Sequence, residues 1–296
     1  MGALPVGRYG GSSMDDRQFR NWAALLEERT GMVLPEERRS FLATGVGLRM
    51  REVGFTDLDA YYDYLASGRA GRLEWAALVD HLTVQETRFF RDPKAVELIQ
   101  ERFLPYAAER VAGGDSLQVW SAGCATGEEA YTLAMMVDWH LSAEGLPRYY
   151  GVTGSDISLK ALSVARHGRY SNRRLASVPE RFASQYCQPT GPLRFHLADA
   201  LRRRSCFTQL NLLDDVASAL PFMDLVYCQN VLIYFDQERR ARILGNLVDR
   251  LRPGGMLILG PGEVLGWSAP GLERIGGPNV LAFRRLEADE GCERND

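Results

Sequence analysis

The sequence offers no apolar run near the ~20 residues a membrane-spanning helix needs, and no basic-then-apolar leader at its start. The chain is therefore expected to be cytoplasmic, without direct membrane insertion. Its five cysteines (Cys124, Cys187, Cys206, Cys228, Cys292) stand singly, with no CxxC pair, a pattern of reduced thiols rather than a disulfide framework. The four histidines, His81, His140, His167 and His196, lie far apart without ligand-like neighbours, so no metal site is read. Positive charge is not in excess either: 35 Lys and Arg stand against 38 Asp and Glu, a formal net charge of −3. Without a basic surplus or an aromatic-basic stripe, nucleic acid is not an expected partner. The trio Arg202-Arg203-Arg204 reads equally well as a docking point or a solvated loop.

What is present is a chain of two grammars. Residues 1–14 are rich in Gly and Ser and read as a disordered N-terminus. From Asp15 the pattern is helical: Phe19, Trp22, Ala23 and Leu26 recur at helical spacing, and Thr30-Gly31 supplies a stop. Pro35 opens a second helical segment ending near Gly54. Thr56 with Asp59 resembles a capping box for a third, and a fourth covers about Arg72 to Leu82. Residues 15–82 thus read as a helical domain and 83–92 as a linker. Asp92-Pro93 caps a helix running toward Arg110. Strands then alternate with helices: 117–121, 150–154, 223–228, 256–259 and 280–284 are extended, while 127–141, 159–167 and 237–250 are helical. Such alternation implies α/β architecture with a doubly wound, mostly parallel, Rossmann-like sheet over 93–286. Residues 169–210 interrupt it with a possible helix and short strands, and 287–296 form an acidic, flexible tail.

The segment Val119-Trp120-Ser121-Ala122-Gly123-Cys124-Ala125-Thr126-Gly127-Glu128-Glu129 places a glycine turn between strand and helix, where ligands bind in such sheets. It contains neither GxxxxGK[ST] nor GxGxxG. Two carboxylates in the first helical turn would repel a pyrophosphate. A cofactor carrying a positive charge, an amine and ribose hydroxyls suits them better, and S-adenosylmethionine has all three. Asp156 ends the next strand, where it either accepts from ribose hydroxyls or caps the following helix. Asn211-Leu212 follows the strand-like 206–210 and is placed to read an adenine edge, although Leu210, Leu212 and Leu213 are suited to the core. The run from Gln229 to Asp236 is not NPPY, the signature of amide and base-amine methylation.

Taken together, Thr87-Arg88-Phe89-Phe90-Arg91-Asp92, the Trp120–Glu129 run, Ser155-Asp156-Ile157-Ser158 and Gln229–Asp236 resemble the CheR-type chemoreceptor methyltransferases, over roughly Asp15 to Arg284. The resemblance implies a small all-helical N-terminal domain before a methyltransferase domain with an inserted small β-subdomain, placed at 169–210. It implies an S-adenosylmethionine-dependent protein-glutamate O-methyltransferase, with S-adenosylhomocysteine as product and no metal. The implied partner is the cytoplasmic domain of methyl-accepting chemoreceptors, engaged by a monomer. Cofactor contacts are implied at Thr87, Arg91, Gly123, Glu128, Asp156, Asn211, Leu212, Gln229 and Asn230. Tyr234 is expected near the methyl group, and Arg91 on the carboxylate of either cofactor or substrate. Phe89 and Phe90 read as packing.

Three departures stand out. Gln229 occupies a position where the family leads one to expect arginine. The second helical segment contains Gly45 and Gly47 and is less basic than the family's receptor-docking helix, although Arg38, Arg39, Arg49 and Arg51 retain charge there. The stretch 192–207 lacks an extra glycine-containing loop, which implies docking through the N-terminal helices rather than capture of a receptor C-terminal peptide. No catalytic base is apparent, and a glutamate acceptor needs none, being ionised at neutral pH. Two alternatives stay open on sequence alone: a methyltransferase of another substrate, and a non-catalytic S-adenosylmethionine-binding signalling adaptor.

Overall fold

Local chemistry explains most element boundaries in the computed structural model, which describes residues 14–264 and 266–287. The expected disordered start and acidic tail lie almost wholly outside the described residues. The chain divides into two units at Thr83/Val84.

In the first unit, helix α1 (Asp16–Thr30) opens on Asp15, whose carboxylate accepts from the Gln18 N–H at 2.7 Å while Gln18 Oε1 accepts from the Asp15 N–H at 3.1 Å. This reciprocal pair is the unit's capping box. The box expected at Thr56/Asp59 is absent. There Asp57, one residue later, accepts from the Ala60 N–H at 2.8 Å and starts α3 (Leu58–Ala66). Between them, α2 (Arg39–Val53) follows a short turn after Pro35 and ends at Gly54. Helix α4 (Gly68–Leu82) begins four residues before the expected Arg72. Gly45 has a packing reason: a Cβ there would lie 2.6 Å from the His81 carbonyl oxygen, so α2 and α4 approach backbone to backbone.

The second unit begins with α5 (Pro93–Leu98), capped by Asp92, which accepts from the Lys94 and Ala95 N–H groups. A π-helical segment, Ile99–Phe103, joins it to α6 (Leu104–Ala112). Then come β1 (Leu117–Ala122), α7 (Glu128–Ala143), β2 (Tyr150–Asp156) and α8 (Leu159–His167). The interruption resolves into β3 (Arg169–Ser171), α9 (Glu180–Tyr186), β4 (Cys187–Pro189), β5 (Arg194–Leu197) and α10 (Asp199–Arg202). Its three strands form a separate antiparallel sheet, order β3-β5-β4. Residues 190–193 close the β4–β5 connection.

The main sheet is completed by β6 (Ser205–Gln209), β7 (Met223–Cys228), β8 (Leu251–Leu259), β9 (Leu272–Arg274) and β10 (Leu281–Arg285), with the short α11 (Val216–Ala219) before β7 and α12 (Gln237–Asp249) before β8. The strand order is β6-β2-β1-β7-β8-β10-β9, parallel through β8 and antiparallel beyond. The run 251–255, lying between the helix expected at 237–250 and the strand expected at 256–259, belongs to β8: Leu251 already pairs with Met223, and an irregularity between Met223 and Leu225 absorbs the Pro-Gly-Gly. Successive strands run outward from β1 to β2 and β6, then the chain returns to place β7 on the other side of β1. Ligands bind at the carboxyl ends of strands where the order reverses in this way.

Candidate active site

Close approach governs the turn after β1. Gly123 and Gly127 both have left-handed backbone, with φ of 77° and 92°. A Cβ on Gly123 would lie 2.3 Å from Val231 Cγ2, and one on Gly127 would lie 2.7 Å from Ala165 Cβ. At the end of β2, Asp156 faces this turn: one carboxylate oxygen accepts from the Ala125 N–H at 2.9 Å, the other from the Ser158 N–H at 2.9 Å. Asp156 does not cap α8. Ser158 does, accepting from the Ala161 N–H at 3.0 Å. Gln85, which sequence reasoning passed over, donates to Ser158 Oγ at 2.9 Å. Asn211 lies past β6, beside Asp156, whose carbonyl accepts from the Leu210 N–H. Asn211 Oδ1 accepts from the Leu213 N–H at 3.1 Å, while the Leu212 side chain is buried.

The two acids opening α7 part company. Glu128 is fully buried and turned toward the small sheet's segment: it accepts from Thr126 Oγ1 at 2.6 Å and is ion-paired with Arg174. Tyr170 of β3 donates to the Thr126 carbonyl at 2.8 Å, so the insertion is joined to the turn twice. Glu128, expected at the cofactor, thus directs its carboxylate toward the insertion. Glu129 faces the pocket. It accepts from Ser121 Oγ at 2.7 Å and lines a pocket with Arg88, Arg91, Thr132 and Tyr227. Burial pushes its carboxyl up to about 8, against the lowering influence of the Ser121 hydrogen bond and the Arg91 charge.

Arg91 is held by a turn with three anchors. Phe89 is completely buried, edge-on to Tyr170. Phe90 adopts a left-handed φ of 51°, donates its N–H to Thr132 Oγ1 and stacks on Phe182. Asp92 caps α5 and accepts from Gln229 Nε2 at 2.9 Å. The guanidinium donates to the Glu86 carbonyl at 2.7 Å and remains half-exposed. Thr87, also half-exposed, begins the same turn. Gln229 is buried, and its amide donates to Asp92; the missing arginine is thus replaced by a neutral brace for the Arg91 turn. Beyond it, Asn230 is exposed with a left-handed φ of 60°, and Tyr234 is half-exposed on the 3-10 turn Leu232–Tyr234.

The four arginines expected to dock a receptor lie in the first unit. Arg39 pairs with Asp16 at 2.6 Å and Glu36 at 2.5 Å. Arg49 forks onto Glu74 with two contacts of 2.8 Å and also reaches Glu52. Arg38 and Arg51 are exposed.

Thr87, Arg91, Gly123, Glu129, Asp156, Asn211 and the Asn230–Tyr234 loop therefore gather at the carboxyl ends of β6, β2, β1 and β7. A buried acid beside an arginine suits the ammonium and carboxylate of an amino-acid moiety. Comparison with known proteins agrees with that chemistry. Residues 85–277 match the CheR methyltransferase SAM-binding domain, and residues 17–83 match the CheR methyltransferase all-alpha domain. Chemotaxis protein methyltransferase 1 of Pseudomonas aeruginosa is 33% identical over 257 residues, 86% of this chain and 92% of that protein. The chemotaxis protein methyltransferase of Escherichia coli is 32% identical over 254 residues, 85% of each chain. That of Borreliella burgdorferi is 27% identical over 237 residues, covering 79% and 83%. This chain, an S-adenosylmethionine-dependent enzyme, belongs to the CheR methyltransferase family.

Proposed function

We propose that the enzyme esterifies glutamate side chains in the cytoplasmic domain of methyl-accepting chemoreceptors, acting as a cytoplasmic monomer. The observation that carries this reading is the pairing of Glu129 with Arg91 in one pocket at the ends of β1 and β7. Glu129 would hold the ammonium of S-adenosylmethionine, Arg91 a carboxylate, and Asp156 the ribose hydroxyls. When bound, the cofactor supplies an electrophilic methyl on a sulfonium. A glutamate carboxylate arrives already ionised, so the acceptor side needs alignment and exclusion of water more than a base. The loop carrying Asn230 and Tyr234 offers neutral polar groups for that purpose. Labelled methyl from S-adenosylmethionine should appear on receptor cytoplasmic domains and be released by mild base, the mark of an ester. Base-stable label would point to another acceptor chemistry.

Glu129 gives a signed pH dependence. Its carboxyl holds a proton more tightly in the folded chain, at about 8, than at its ordinary value of 4.5. Between those values the folded state retains a proton that the unfolded state has released, so this group makes stability fall as pH rises. Glu129→Gln should melt higher than wild type by a margin that widens toward pH 8, while affinity for S-adenosylmethionine falls about tenfold or more, because the amide, unlike the carboxyl, cannot ionise against the incoming ammonium. A melting difference that does not vary with pH would show that Glu129 is not held protonated.

Docking is proposed through the helical unit, using Arg38, Arg39, Arg49 and Arg51 against an acidic receptor surface. Such contacts are exposed and weaken with salt. The tight 190–193 connection supports independence from a receptor C-terminal peptide. Receptors truncated at that end should be methylated at rates within about twofold of full length, since an enzyme that does not grip the peptide gains no effective concentration from it. Micromolar binding of the free peptide, with methylation lost on truncation, would reverse this.

A further inference from the structure

Glu263 lies just after β8, 31 residues beyond Leu232 of the loop after β7, and is only 4% exposed. Its Oε1 accepts from the Leu232 N–H at 2.9 Å, and its Oε2 accepts from the Gly260 N–H at 2.9 Å. The N–H groups of Asn230 and Val231 also bear on this carboxylate. A buried carboxylate thus gathers the successive amides 230–232, a concave anion-binding arrangement of backbone donors in which each bond is charge-assisted. Arg240 closes the other side, donating Nε to the carbonyls of Leu232 (2.9 Å) and Phe235 (2.7 Å), and Nη1 to that of Glu263 (3.4 Å).

The loop so held carries Asn230 in its left-handed conformation and leads into the turn bearing Tyr234. Its Val231 side chain also abuts Gly123 of the cofactor turn. Gly260 has no room for a side chain, because a Cβ there would lie 2.0 Å from Glu263 Oε2. Backbone, carboxylate and glycine are matched to one another at this corner of the sheet.

We infer that Glu263 is a positioning residue for methyl transfer, fixing the 230–235 loop, and with it Tyr234, against the cofactor turn by accepting the loop's amide protons. This deepens the proposed function and rests on it. Replacing the carboxylate with an amide keeps the shape but leaves a single acceptor oxygen and turns two N–H donors toward backbone donors. The groups assigned to the cofactor, Arg91, Glu129 and Asp156, stand on other elements and keep their own anchors.

Glu263→Gln should therefore lower kcat at least tenfold at saturating cofactor and receptor, while Kd for S-adenosylhomocysteine rises less than threefold. Gly260→Ala, which keeps Glu263 but displaces its carboxylate, should give the same split and guards against poor folding of the first variant. In both, the Leu232 and Gly260 amides should exchange with solvent faster than in wild type, a readout independent of activity. A folded Glu263→Gln with kcat within twofold of wild type would overturn the inference, as would a loss of kcat matched by an equal rise in Kd. Failure of the wild-type enzyme to methylate any receptor would strike the proposed function, while unchanged amide exchange in the variants would strike the loop-holding role by itself.

Discussion

Arg91→Ala should lower kcat/KM for receptor methylation by about 10²–10³, the scale of losing one preorganised charged donor in a water-excluded site. Its melting temperature should change by only a few degrees. The reason lies in what holds the turn: Phe89, Phe90 and Asp92 supply the anchors, so the guanidinium can leave without releasing the backbone. Removing it has a second effect. The Arg91 charge holds the Glu129 carboxyl down, so in the variant that carboxyl should titrate higher still and be protonated over more of the neutral range. Cofactor affinity and transfer should fall together, and the affinity loss should shrink as pH is raised. Arg91→Lys, which keeps charge but not the planar fork, should lie between the two. Activity within twofold of wild type in the alanine variant would reduce Arg91 to a surface residue.

Asp156→Ala should weaken S-adenosylmethionine and S-adenosylhomocysteine alike, by about 1.5–3 kcal/mol or roughly 10- to 150-fold, as expected for a lost charged acceptor. Both ligands share the ribose, so a selective loss of only one would contradict the assignment. The variant should also lose some stability, since the carboxylate receives the Ala125 and Ser158 amides even without a ligand. Asp156→Asn retains one oxygen and separates the two roles. It should recover most of the melting temperature and little of the affinity. Calorimetric affinities within twofold of wild type for both ligands would remove Asp156 from the site.

The sequence was most legible where local chemistry acts alone. Asp92-Pro93, the Gly31 stop and the β1-turn-α7 unit follow from capping and glycine backbone freedom, which need no knowledge of the rest of the chain. Neighbouring residues on a helix were not legible in this way. Glu128 and Glu129 are separated by about 100° around α7, and only tertiary packing decides that one meets Arg174 while the other meets the pocket. Glu263 was invisible for a similar reason: a lone acid in Gly-Pro-Gly-Glu carries no local signature, and the Leu232 amide it receives lies 31 residues back. The first half of β8, which holds Pro-Gly-Gly, was not expected as strand, because turn residues also serve a strand irregularity when a neighbouring strand supplies the pairing. The strands of the insertion are three or four residues long, too short for a period-2 pattern to declare itself.

The two ties from that insertion to the cofactor turn, Tyr170 to the Thr126 carbonyl and Arg174 to Glu128, bear on how the protein can be re-engineered. A chimera that imports residues 169–210 from a relative would also exchange the struts behind the turn after β1. Such hybrids should take on part of the donor's cofactor affinity while keeping this chain's receptor preference, which is proposed to lie in the helical unit. Swaps that leave Tyr170 and Arg174 in place should keep both.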